Sequence, residues 1–125
     1  MDRTTLRKPR LHFEVAANPS HLTFDDGKEQ RRNIPWLHYT ESRWKYDEPN
    51  TIRMEIGEWC VVIRGHNLGP LFRSIEEQTL QRIRALPELA ENIACEADTF
   101  ATEIRFLVST NKGGKTSGQA ELRLQ

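Results

Sequence analysis

The sequence predicts an α+β domain: an antiparallel sheet of about five or six strands in a meander, with one main helix (70–86) packed on a face and a final strand over 99–108. Three observations predict this class. Residues 51–64 contain two apolar stretches joined by Gly57-Glu58, which is typical of a β-hairpin. Apolar residues then recur at helical spacing. Residues 99–108 return to strict alternation.

The hairpin is the clearest element. Ile52 and Ile56 alternate with charged neighbours, and glycine at the first central position of the turn suits a two-residue type II′ turn. The return strand over 59–64 is apolar on both faces, because Cys60 and Val62 add to the face opposite Val61. Such a strand usually lies in the middle of a sheet that is covered on both sides.

The helix over 70–86 begins with Pro70, which suits the first helical turn because its missing N–H has no partner there. The buried stripe is predicted to contain Leu68, Phe72, Ile75, Thr79, Ile83 and Leu86. Pro87 ends the helix, and 88–98 is expected to be a short second helix or a turn.

Shorter alternating stretches predict the other strands, over 10–15, 21–24 and 34–40. The first two could form a hairpin, and the final strand is expected to return beside the first. Pro35 cannot donate a ladder hydrogen bond, so it indicates a strand start or a sheet edge. Residues 41–50 are predicted to form a loop.

The domain organisation follows from composition and charge. We expect a flexible basic N-terminal segment (1–9), one folded domain (10–108) and a flexible C-terminal tail (109–125). The chain contains 18 basic and 18 acidic side chains, but residues 11–108 contain 11 basic and 16 acidic ones. An acidic body argues against a nucleic-acid-binding face on the folded domain itself.

The sequence gives no sign of secretion or membrane insertion. Two cysteines do not form a disulfide framework, and no signal peptide or membrane-spanning stretch is visible. We therefore expect a cytoplasmic protein that does not associate with membranes.

No cofactor, metal or catalytic site is predicted. The four histidines lack metal-site spacing, and Cys60 lies inside an apolar strand where burial raises a thiol pKa. The tail contains Gly114-Lys115-Thr116, but Ser109 replaces the first glycine of a phosphate-binding loop. These observations favour a protein that is not an enzyme.

Candidate binding residues are aromatic, basic or polar side chains near strand ends. Aromatic and cationic side chains together can stack bases or bind a peptide, whereas the alternative is that the tryptophans belong to the core. His66 and Asn67 lie where a strand passes into the helix, and they could instead only turn the chain and cap the helix. The candidates are Trp36, His38, Arg43, Trp44, Arg64, His66 and Asn67.

Three functions follow from these residues. The favoured hypothesis is a non-catalytic binding or assembly module whose partner is a second copy (a homodimer) or another protein, because one helix cannot cover both apolar faces of 59–64. One alternative is a nucleic-acid-associated domain that uses the basic ends and the Trp/Tyr/Arg cluster. The other is a small enzyme or ligand-binding domain with a site near His66 and Arg64.

Overall fold

The computed structural model describes residues 8–91 and 96–109, and within these ranges the protein is a mixed α/β domain with eight strands and one α-helix. The α+β class is confirmed, and most strand pairs are antiparallel. The elements are β1 (Phe13–Val15), β2 (His21–Asp25), β3 (Arg31–Pro35), β4 (Tyr39–Arg43), β5 (Thr51–Ile56), β6 (Trp59–His66), α1 (Gly69–Glu76), β7 (Leu80–Arg84) and β8 (Phe100–Val108).

The strands form two four-stranded sheets instead of one meander. The first sheet has the order β1-β7-β2-β3, and the second has the order β4-β5-β6-β8. Both sheets contribute to one hydrophobic core, where Phe24 of the first sheet meets Phe106 of the second at 6.1 Å between ring centroids. The first two strands do not form a hairpin, because β7 lies between them. The final strand pairs along its length with β6, and it meets the first predicted strand only at a single bridge between Leu11 and Thr99.

The central hairpin of β5 and β6 is confirmed. Ile52 pairs with Ile63, and Ile56 pairs with Trp59 across the turn. Gly57 has a φ of +61°, as the first central residue of a type II′ turn requires. The hairpin therefore forms where local residue types alone specify it.

The second face of β6 differs from the expectation. On the face of the second sheet that points away from the core, here called the outer face, Val62 lies between Arg53 and Arg105 in the strand register. Its exposed fraction is only 8%. Long arginine stems commonly cover apolar neighbours. Val62 is thus buried within a single chain, without a second helix.

The predicted strand over 34–40 is wrong in its extent. It divides into the end of β3, a 3-10 turn at Trp36–His38 and the start of β4, so that it connects the two sheets. The Trp36 ring turns into the core, where its Nε1 donates to the Leu80 carbonyl at 2.9 Å. Burial of this side chain, with its N–H satisfied, outweighs continued strand pairing.

The predicted helix over 70–86 is also wrong in its extent. Helix α1 ends at Glu76, and Gln78 has a left-handed φ of +54°. The remaining residues form β7, in which Leu80 and Ile83 are both buried. Pairing with β1 skips Gln81, which forms a β-bulge. A bulge lets residues three apart share a face, and this spacing imitates a helix.

The segment 88–98 contains a 3-10 turn at Pro87–Glu91, and residues 92–95 lie outside the described residues. The predicted flexible ends also fall largely outside them, at 1–7 and 110–125, and remain predictions. Across 8–91 and 96–109, no helix has the length and apolar character needed to span a membrane.

Candidate functional site

A groove of about 920 Å³ runs between the edge of the first sheet and helix α1. One wall is strand β1 and the chain just before it, which contribute Leu11, Phe13 and Val15. Phe72 of α1 belongs to the opposite wall. Leu11 and Val15 are each 54% exposed, so apolar surface at this edge is left open to solvent.

Among the described residues, the backbone of β1 has a partner strand on one side only. The His12 N–H donates to the Thr99 carbonyl and the Ala16 N–H to the Thr79 carbonyl, each at 2.9 Å. Even-numbered residues therefore point their backbone groups at the neighbouring chain. Because these groups alternate along a strand, those of Leu11 and Phe13 point away from the sheet. Strand β1 ends the sheet order, so this edge can accept another strand.

Aromatic side chains also line the groove. The Trp44 and Phe72 rings pack with their centroids 5.4 Å apart, and the Trp44 Nε1 donates to the Pro49 carbonyl at 3.0 Å. Gly69 leaves room beside the Trp44 ring, at 3.9 Å from where a Cβ would be. The Tyr46 ring is fully exposed. Trp44 is thus fixed in place, whereas Tyr46 remains free to contact a ligand.

The charged side chains at the groove lie on helix α1 and just after it. Arg73, Glu76 and Glu77 are exposed at its rim. The rim therefore carries two carboxylates and one guanidinium around an apolar floor. Such a site binds through apolar contact and backbone hydrogen bonds, with a preference for a cationic group near the carboxylates.

The structure separates the seven candidate residues that the sequence suggested. Trp36 belongs to the core, and His38 is exposed in the 3-10 turn, where its carbonyl accepts from the Gly57 N–H at 2.8 Å. Trp44 is the candidate that lines the groove. Trp36 is thus buried away from Trp44, and a role of the Trp/Tyr/Arg cluster in nucleic-acid binding remains a prediction.

Arg64 and His66 do come together, in a smaller cavity of about 320 Å³ at the end of β6. The His66 ring stacks on Phe100 at 5.3 Å, and its Nε2 lies 2.8 Å from the Glu96 carbonyl. The Arg64 Nε lies 3.8 Å from a Glu103 oxygen. Both side chains have structural partners, and a ligand site near them remains a prediction.

Asn67 has a structural role at the strand-to-helix corner. Its φ is +52°, and its Nδ2 donates to the Ala97 carbonyl at 2.7 Å. The Thr99 hydroxyl donates to the Asn67 carbonyl at 2.7 Å. These bonds tie the corner to the chain that leads into β8, while the described N-terminus of α1 has no side-chain cap.

Arg43 belongs to a charged cluster on the outer face. Its guanidinium contacts Glu41 at 2.9 Å and Glu55 at 3.1 Å. Burial acts to raise the pKa of Glu55, but hydrogen bonds from Ser109 and Arg43 outweigh it and leave the pKa below its ordinary value. Burial raises the pKa of the neighbouring Cys60 thiol, and the Glu55 charge adds to this effect. A protonated thiol is a poor nucleophile.

Sequence reasoning missed the groove residues Leu11, Phe13, Val15 and Phe72, which the hydrophobic pattern places in the core. Their partial exposure depends on β1 being an edge strand, and that depends on β7 pairing with it. Nothing in the sequence of residues 10–15 indicates that they pair with residues 80–83.

Among the residues that the structure describes, no group of three or more His, Cys, Asp or Glu side chains could hold a metal ion. The features of the groove beside β1 are its shape, its apolar surface and the backbone geometry of its edge strand. No family model, curated protein or solved structure matches this chain.

Proposed function

We propose that this protein is a non-catalytic binding module that accepts an extended segment of another protein as an added strand on β1. The observation that supports the proposal is that one strand contributes to two features. Strand β1 is at the edge of its sheet and also supplies one wall of the apolar groove, which Trp44 and Tyr46 line as well.

Strand addition suits these two features together. Main-chain hydrogen bonds to the edge supply affinity, and pockets beside the edge select every second side chain of the added strand. Leu11 and Val15 would lose their exposure to water on binding. Burial of apolar area contributes about 25 cal/mol per Å² before the cost of ordering the peptide.

The strand geometry and the charges at the rim restrict which peptide sequences the groove would bind. We expect apolar residues at alternate positions, because side chains on one face of a strand repeat with a period of two. We also expect a lysine or arginine in the segment, since Glu76 and Glu77 outnumber Arg73 at the rim.

The experiment selects displayed random 12-residue peptides on the full chain and measures their affinities by calorimetry. Selected sequences should share alternating apolar residues. Val15→Lys places a charge in the groove and Tyr46→Ser removes its exposed ring, and each should weaken binding by about tenfold or more. Val15 and Tyr46 are exposed, so both variants should fold.

The matched control is Leu37→Lys. Leu37 is 91% exposed and lies outside the groove. Like Val15→Lys, this variant replaces an exposed apolar side chain with lysine, but we expect no loss of peptide affinity. Selected peptides that bind wild type and Val15→Lys equally, or a selection that enriches no peptide, would contradict the proposal.

A further inference from the structure

Strand β8 forms a second open edge, on the other sheet. It ends the order of the second sheet, and residues 102–106 line a groove of about 560 Å³ beside this edge. The far side of this groove is formed by the 26–30 turn and Pro87. The stretch that lines the groove is centred on Ile104.

Within residues 8–91 and 96–109, the backbone of this stretch has hydrogen-bonding groups without a partner. The Ser109 N–H donates to the Glu58 carbonyl at 2.8 Å, and the pairing of β8 with β6 is regular from Val108 back to Glu103. Odd-numbered residues therefore point their backbone groups at β6. Those of Ile104 and Phe106 point to the open edge, because successive residues alternate.

The side chains at this edge have a charge pattern that can complement itself. Glu103 and Arg105 both lie on the outer face, opposite Arg64 and Val62 of β6. Between them is Ile104, which is buried in the core. In an antiparallel pair of identical strands, a two-fold axis at Ile104 would place each Glu103 opposite the Arg105 of the other strand.

We propose that two copies of this chain associate by antiparallel pairing of their β8 strands about Ile104. The two Ile104 residues would form the hydrogen-bonded pair on the axis. Glu103 and Arg105 would form non-hydrogen-bonded pairs on either side, in which opposed side chains come closest. Each close Glu–Arg pair stabilises the association.

Other registers are disfavoured by the same two residues. A shift of one residue would turn every side chain to the wrong face. An axis at Glu103 would oppose two carboxylates, and an axis at Arg105 would oppose two guanidinium groups. The charges thus favour an axis at Ile104 over an axis at either of its neighbours, and only the axis at Ile104 forms both Glu–Arg pairs.

The paired stretch is short, because the Ala101 carbonyl already accepts from the Leu86 N–H at 2.7 Å. Beyond it lie Leu107 and Val108, which are 43% and 70% exposed. In this register they are opposite residues 101 and 100 of the second copy, close to its Leu86 and Pro87. The association would therefore cover apolar side chains that a single chain leaves open.

The experiment measures self-association by sedimentation velocity across a concentration series. The full chain should show a monomer–dimer equilibrium. In a dimer of Glu103→Arg, each introduced arginine would face an arginine of the other copy, and in a dimer of Arg105→Glu each introduced glutamate would face a glutamate. Each variant alone should therefore dimerise about tenfold more weakly or worse. An equimolar mixture of the two variants restores both Arg–Glu contacts and should form a heterodimer.

The matched control uses Glu14→Arg and Arg82→Glu. These residues also oppose each other across two strands, but on the first sheet, so neither variant should change the association. Circular dichroism confirms that each variant is folded. A wild-type chain that stays monomeric up to about 1 mM, or a mixture that fails to recover the dimer, would overturn the proposal.

Discussion

Glu55 and Cys60 lie directly opposite each other on β5 and β6, on the outer face of the second sheet. The Glu55 side chain is buried, with an exposed fraction of 6% for the residue, and it accepts hydrogen bonds from Arg43 and the Ser109 hydroxyl. A buried carboxylate with these donors favours its ionised form. The same negative charge disfavours a thiolate beside it, so the two groups have opposite shifts in pKa.

The first prediction concerns the reactivity of Cys60. In a Cys95→Ser background, the Cys60 thiol should react with iodoacetamide more slowly than free cysteine at pH 8, because burial and the Glu55 charge raise its pKa. Glu55→Gln removes the charge and should speed the reaction several-fold, whereas Glu58→Gln, which changes an exposed acid at the hairpin turn, should not. Equal rates in wild type and Glu55→Gln would contradict this account.

The second prediction concerns acid stability. The pKa of Glu55 is lower in the folded state than in the unfolded chain, so its contribution is full above about pH 5 and is lost as the pH falls through the folded pKa. At pH 7, Glu55→Gln should lower the free energy of unfolding by about 1.5–3 kcal/mol, the range for hydrogen bonds to a charged group.

Urea unfolding of wild type and Glu55→Gln at several pH values checks this. The difference in the free energy of unfolding should shrink as the pH is lowered from 5 to 3. Glu29→Gln, the same chemical change at an exposed acid in the 26–30 turn, is the control and should leave the free energy of unfolding at pH 7 nearly unchanged. A difference for Glu55→Gln that is the same at every pH would mean that its ionisation is not linked to folding.

The third prediction concerns Gly65, at the irregularity where β6 pairs with β8. A Cβ at this position would overlap the Phe100 carbonyl oxygen and lie 2.9 Å from the Ala101 Cα. Both are backbone atoms, so Gly65→Ala must move one strand relative to the other. We expect a loss of about 1–3 kcal/mol in the free energy of unfolding, as is typical of overpacking.

Gly69→Ala is the matched control. At Gly69 the nearest contact of an added Cβ outside its chain neighbours is the Trp44 ring at 3.9 Å, which is an ordinary distance. Pro70 disfavours a helical backbone at the preceding residue once that residue has a Cβ, so we expect a loss of stability that is smaller than the loss for Gly65→Ala. Thermal unfolding monitored by circular dichroism compares the two variants. Similar midpoints for both would show that β6 and β8 can separate at this point without cost.

The hairpin of β5 and β6 could be predicted because neighbouring residues determine it. Gly57 supplies the positive φ, and the alternation on both sides sets the register. The class of fold followed from the same kind of local pattern. Every element that was predicted correctly has its evidence within a few residues of sequence.

The errors lie where distant contacts decide the structure. Leu80 and Ile83 have helical spacing in the sequence. They lie in a strand, and the bulge opposite β1 lets both of them face the core. Trp36 is of a residue type that is common at binding sites. In the structure its indole N–H donates to the carbonyl of Leu80, which lies 44 positions later in the sequence. The groove was missed for the same reason, because its open edge exists only once β7 is in place.

The position of β7 also affects how the chain can fold. Strand β2 ends at Asp25 and its parallel neighbour begins at Leu80, and three strands of the other sheet lie between them in sequence. The first sheet therefore cannot be completed until a loop of more than fifty residues has closed, and a loop of that length carries a substantial entropy cost. The β5–β6 hairpin can form early, but neither sheet is an independent folding unit, and the chain cannot be cut into two autonomous halves.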